Sequence, residues 1–189
     1  MLRDPDSEIR NELLSGERLL WSGQPRQGVV FRDADVFMIP FSILWGGFAI
    51  FWMVGAATMG APIFFVLFGT PFVLAGLYMI FGRFWVDARM RANTFYGLTP
   101  DRIIIVSGIY RRQAKSLSLQ SITDVSLTEY SSGGGLITFG PTLAMFGALQ
   151  GMPWPGMNQF LPPSFELASD AREVYRMINE ARANRQAKE

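Results

Sequence analysis

The stretch Phe41–Ala56, "FSILWGGFAIFWMVGA", carries no charged residue, and it sits inside a longer run, Val36 to Gly82, that also lacks Asp, Glu, Lys and Arg. A hydrocarbon core about 30 Å thick needs roughly 20 helical residues to cross it. The run therefore predicts two crossings, 36–57 and 62–82, joined by the small turn "TMGA". A helix on the surface of a soluble domain would show a polar stripe at helical spacing, and none is present. A helical hairpin buried in a large protein would need covering layers that the rest of the chain does not supply. Pro40, Pro62 and Pro71 fall near span ends or at a kink, where a spanning helix tolerates them.

Small residues recur at helical spacing in both spans. Ser42, Gly46, Ala49, Met53 and Ala56 mark one narrow face; Gly69, Val73, Gly76 and Ile80 mark the other. Small side chains let backbones approach where lipid offers no hydrophobic drive for association, so these faces are expected to pack together. Arg18, Arg26 and Arg32 precede the run and Arg83, Arg89, Arg91 and Arg102 follow it, while the turn has no cation. The positive-inside rule then places both termini in the cytoplasm of a multi-pass inner-membrane protein. Arg83, Trp85, Arg89 and Arg91 are the expected interface anchors. The first 35 residues hold seven acids and no apolar core, which does not fit a cleavable signal peptide.

Absent residue types narrow the chemistry. The 189 residues include no Cys and no His. That removes disulfides, thiolate nucleophiles, thiolate zinc sites, the commonest general base and the Ser-His-Asp triad. Net charge is +1, too small for a global field that would recruit nucleic acid. No catalytic, cofactor-binding or metal-binding residue is assigned.

Beyond Arg83 the pattern turns to short strands. "TFYGL" stops at the turn "TPDR", and "RIIIVSG" is a β-branched run ended by Ser107-Gly108. "AKSLSLQSITDVSLTEY" alternates apolar and polar residues with a break near Gln120 that suggests a bulge. "SSGGG" precedes "LITFG", and "SFEL" leads into an amphipathic helix over 169–186. Asp170 and Glu173 read as its capping pair. Ala171, Val174, Tyr175, Ile178 and Ala181 make its apolar face. Upstream, "LLWSGQP" reads as a further strand and turn. Antiparallel strands closed by one helix suggest a small bent sheet or open barrel.

In this order, Gly16-Glu17 with "LLWSGQP", the apolar hairpin, "YGLTPDRIIIVSG", "SLSLQSITDVSL", "ITFG" and "FELASDAREVYRMI" resemble the bacterial pleckstrin-homology-like membrane proteins. The resemblance implies an α+β membrane protein with a two-helix transmembrane hairpin. Its cytoplasmic part would be a PH-like β-sandwich capped by the last helix. Residues 1–35 would add strand to that domain, 36–82 would be the hairpin inserted after the first strand, and 83–189 would complete the sandwich. It carries over no catalytic residues. Eukaryotic relatives that bind phosphoinositides use basic residues between their first strands, where this chain has its hairpin.

Two regions remain open to more than one reading. Arg111, Arg112 and Lys115 are either a solvated turn or a patch attracted to anionic lipid. The apolar loop 141–163, with Met152, Trp154, Met157 and Phe160, either packs on the domain, enters the interface or docks a protein. "SSGGGL" lacks the Lys-Ser/Thr of a phosphate loop, and Asp124 and Glu129 are not placed as a catalytic pair. The expected role is a non-enzymatic scaffold or accessory subunit with membrane lipids and a protein as partners. A membrane-surface enzyme, a transporter component and a lipid-headgroup sensor are the alternatives.

Overall fold

The computed structural model describes residues 4–32, 34–109, 111–131, 133–141 and 162–187. A short helix α1 (Pro5–Arg10) and strand β1 (Trp21–Gly23) precede the charge-free run, which folds as α2 (Asp35–Thr58) and α3 (Ile63–Leu77). A π-helical turn (Tyr78–Gly82) joins α3 to α4 (Arg83–Ala92). Six strands follow: β2 (Phe95–Leu98), β3 (Arg102–Ser107), β4 (Gln113–Ser118), β5 (Val125–Glu129), β6 (Gly135–Phe139) and β7 (Ser164–Leu167). Helix α5 (Ala171–Gln186) closes the described chain.

The strands form two antiparallel sheets, ordered β1-β2-β3-β4 and β5-β6-β7. Between them lies one apolar core, with Leu98, Ile103, Ile137, Phe139 and Phe165 fully or nearly buried and Val174 and Ile178 of α5 packed against them. Phe165 of β7 stacks on Tyr96 of β2 at 4.5 Å and lies 5.8 Å from Trp21 of β1, which brings the edges of the two sheets together. The β-branched run of β3 is buried on both faces. Ile103 and Ile105 enter the main core, while Ile104 and Val106 join Phe95 beneath Ile9 of α1. A continuous apolar run is what a strand covered on both sides requires. At the end of β3, Gly108 has φ +139, and a Cβ there would fall 1.9 Å from the Arg111 carbonyl oxygen.

β1 pairs with β2 in the register Trp21↔Leu98 to Gly23↔Tyr96. Residues 24–94 thus stand where two paired strands would ordinarily need only a tight turn. Helix α2 and the continuous helix Ile63–Ala92, made of α3, the π-helical turn and α4, are each long and apolar enough to cross a membrane. They meet through small residues: Ser42, Gly46 and Ala49 of α2 and Gly69 and Gly76 of α3 are buried. A Cβ on Gly76 would stand 2.7 Å from the Gly46 Cα, and one on Gly69 would stand 3.0 Å from the Trp52 ring. The large side chains, including Phe48, Phe51, Leu67 and Phe68, point outward.

Three expectations need correction. Residues 83–92 are helical, not the start of the strand region. The break near Gln120 is no bulge, because β4 ends at Ser118 and β5 belongs to the other sheet. Buried Leu119 and Ile122 anchor that corner in the core, so the chain changes sheets there. Asp170 does precede the last helix, but its side chain caps nothing. It adopts a left-handed conformation at φ +59, one that Asp tolerates, and its carboxylate accepts from Ser169 Oγ at 2.7 Å.

Candidate functional site at the root of the hairpin

Helix α4 leaves the hairpin with two different faces. Arg83, Asp87 and Arg91, spaced i, i+4 and i+8, lie on one side of a helix and turn toward the rest of the chain. Arg83 Nη1 stands 2.9 Å from Asp35 Oδ1 at the start of α2. The other Asp35 oxygen accepts from the Arg32 backbone N–H at 2.7 Å. Arg91 contacts Asp87 at 2.5 Å and Glu166 of β7 at 3.2 Å. Arg32 reaches the same two carboxylates at 3.3 and 3.5 Å. Glu166 is further positioned by its backbone N–H, which donates to the Tyr96 hydroxyl at 3.3 Å. Burial drives the Tyr96 phenol pKa upward, so this hydroxyl stays neutral.

Three guanidinium groups are thereby matched by three carboxylates. The cluster joins the linker before α2, both hairpin ends and the β5-β6-β7 sheet. Arg83 and Arg91 are only 3% and 5% exposed, so neither presents its charge outward. The Arg83–Asp35 contact lacks hydrogen-bond alignment, and Arg83 Nε and Nη2 find no acceptor among the described residues. The Arg83 guanidinium instead covers the Phe84 ring at 4.4 Å. Guanidinium groups do not give up protons near neutrality, and each carboxylate here faces one. The arrangement ties the hairpin to the sheet domain.

The opposite side of α4 is open. Trp85 and Arg89 are both exposed, and the Arg89 guanidinium lies 5.2 Å from the Trp85 ring. Among the described residues no carboxylate forms an ion pair with Arg89. Sequence reasoning grouped Arg83, Trp85, Arg89 and Arg91 together; the structure divides them into a buried pair and an exposed pair. It also adds Arg32, Asp35, Asp87, Glu166 and Tyr96. The i, i+4, i+8 spacing of Arg83, Asp87 and Arg91 was the available signal for part of this. Glu166 gave none, because its β7 partnership depends on the tertiary fold.

The turn after β3 does not gather its cations. Arg112 is held on the N-terminal segment, at 2.8 Å from Glu8 of α1 and 3.1 Å from Glu12 just beyond it, while Arg111 and Lys115 are exposed. A cleft of 190 Å³ beside it is lined by Glu8, Phe95, Val106 and Arg112, among others. Its arginine is already occupied. A second internal pair fixes the N-terminal segment: Glu17 accepts from Arg102 at 2.7 and 2.9 Å, from Leu14 N–H at 2.9 Å and from Thr99 Oγ1 at 2.8 Å. The Arg102 guanidinium, aided by those donors, holds the Glu17 carboxyl at about 2. Met152, Trp154, Met157 and Phe160 lie outside the described residues.

The family model of the bacterial PH domain matches residues 43–139, just over half of the chain, from within α2 to the end of β6. No curated protein and no solved structure matches the chain. The match covers β2 to β6, and the structure completes the two sheets with β1 on one side and β7 on the other. Both the ordered strands and the family match lead to one assignment: this chain belongs to the bacterial PH-domain family.

Proposed function

We propose that the protein is a non-enzymatic integral membrane protein that presents its PH-like domain as a binding or scaffold module at the cytoplasmic membrane face. In this reading it serves as an accessory subunit of a larger membrane assembly. The observation that carries it is the placement of the hairpin between paired strands β1 and β2. Both ends of the hairpin are tied to one domain by the six-residue ionic cluster, so the domain cannot drift from the helices that anchor it. The outward surface of α2 and α3 is large and apolar, which water would penalise and acyl chains would not. Arginines flank the hairpin only at its domain end, in keeping with a cytoplasmic location for the domain and both termini.

The test is fractionation of cells expressing the full chain, followed by protease protection of tags at each terminus and identification of co-purifying proteins after gentle extraction. The expected results are a pellet solubilised only by detergent, tags cleaved only from the cytoplasmic side, and a stoichiometric companion. A soluble chain, or a tag cleaved from outside, would overturn the reading. Ligand-dependent turnover by the purified chain would overturn its non-enzymatic part.

A further inference from the structure

The open face of α4, continued into the π-helical turn that holds Phe81, has the composition gradient of a half-bilayer. Phe81, Trp85 and Arg89 follow one another at i, i+4 and i+8. Phe81 is 69% exposed, Trp85 is 62% exposed and Arg89 is also exposed. A rise of 1.5 Å per residue separates the first and last Cα atoms by about 12 Å. An apolar ring, an amphipathic ring and a cation over that distance match the acyl region, the interface and the headgroup layer. The direction of the side chains agrees. Helical side chains lean toward the helix N-terminus, which for α4 is the end nearest α3. Arg89 therefore leans back along the helix, and its guanidinium reaches the Trp85 ring at 5.2 Å.

Charge balance isolates this cation from its neighbours. Arg32, Arg83 and Arg91 are matched by Asp35, Asp87 and Glu166. Among the described residues Arg89 has no ion-pair partner, and guanidinium binds phosphate oxygens well. We infer that Trp85 and Arg89 form a headgroup site for the phosphate of an anionic phospholipid in the cytoplasmic leaflet, with Phe81 against its acyl chains. This inference rests on the membrane reading above. It places lipid contact on α4, on the face opposite the buried ionic cluster, and not at the Arg111–Lys115 turn.

The experiment uses the full chain in nanodiscs of phosphatidylcholine mixed with phosphatidylglycerol. Lipids retained after mild detergent extraction are counted by native mass spectrometry. Loss of one interfacial cation should lower the retained phosphatidylglycerol-to-phosphatidylcholine ratio about fivefold in Arg89→Gln. Trp85→Leu should lower it less, Arg89→Lys should restore part of it, and Lys115→Gln should leave it unchanged. An unchanged ratio in both Arg89→Gln and Trp85→Leu, with normal nanodisc incorporation, would sink the site and leave the membrane reading intact. Displacement of the retained lipid by millimolar inorganic phosphate would reassign the site to a soluble anion and overturn the lipid assignment. Failure of the unaltered chain to enter nanodiscs would overturn both proposals.

Discussion

The hairpin and the sandwich bury opposite kinds of residue. Between the sheets the interior is Ile137, Phe139, Phe165 and Leu98, and the outward positions of β4 are largely polar. Between α2 and α3 the interior is Ser42, Gly46, Ala49, Gly69 and Gly76, while Phe, Leu, Ile and Trp face out. One chain thus follows two packing rules. In water the largest apolar side chains gain most from burial. Where the surroundings are as apolar as the side chains, that gain vanishes and close backbone approach decides the contact. The inversion is the physical basis for reading the two regions as residents of different solvents.

The comparison can be broken most directly by one substitution made twice. Phe165→Ala, in the centre of the sandwich, should cost about 4 kcal/mol through lost burial and a residual cavity. It is measured as the loss of thermal and denaturant stability of the full chain in detergent. Asp35→Asn at the root should follow, at about 3 kcal/mol, because it strands the buried Arg83 charge. The double variant Asp35→Leu/Arg83→Leu should recover most of that loss, since it removes both members of the pair. Gly76→Leu tests the small-residue contact. With Gly46 backbone 2.7 Å from the first added carbon, separation of α2 from α3 is expected at about 2 kcal/mol. An engineered cross-link between the helices reads it out.

A smaller effect distinguishes the N-terminal attachment from both regions. Glu17 has a folded-state pKa of about 2 against an ordinary value of 4.5. Its contribution to stability is therefore complete above pH 4.5 and is lost as pH falls toward 2. Glu17→Gln should flatten the melting temperature across that window and leave its slope at neutral pH unchanged. The smallest effect is the second half of the first comparison. Phe68→Ala on the outer surface of α3 should change stability by no more than about 0.5 kcal/mol. A loss as large as that of Phe165→Ala would mean the outer hairpin face is packed like the sandwich core, and the contrast would fail.

Residue chemistry and periodicity were enough to read several features. The charge-free run marked two long helices, the small residues marked their contact, and the β-branched run at 102–107 marked a strand, whose burial on both faces only the structure shows. The last helix was legible from its apolar spacing, although its cap was not. A left-handed residue at Asp170 turns its side chain away from the helix amides, and residue type alone does not reveal that conformation. Helix α4 was not legible as a separate element because Arg83–Ala92 is short and joins an apolar run to a strand, and only the i+4 spacing of Arg83, Asp87 and Arg91 carries its helical period.

What the sequence determined by itself is local: which stretches are long and apolar enough to cross a membrane, where the backbone is pre-set to extend or coil, and which side-chain chemistries the lack of His and Cys removes. The pairing of β1 with β2 across the hairpin, the change of sheet after Ser118 and the division of four juxtaposed anchors into a buried pair and an exposed pair were decided by the tertiary structure. Each depends on which distant residue arrives opposite, Glu166 opposite Arg91 above all. An arginine in sequence has no fixed role until the fold either supplies it with a carboxylate or leaves it facing outward.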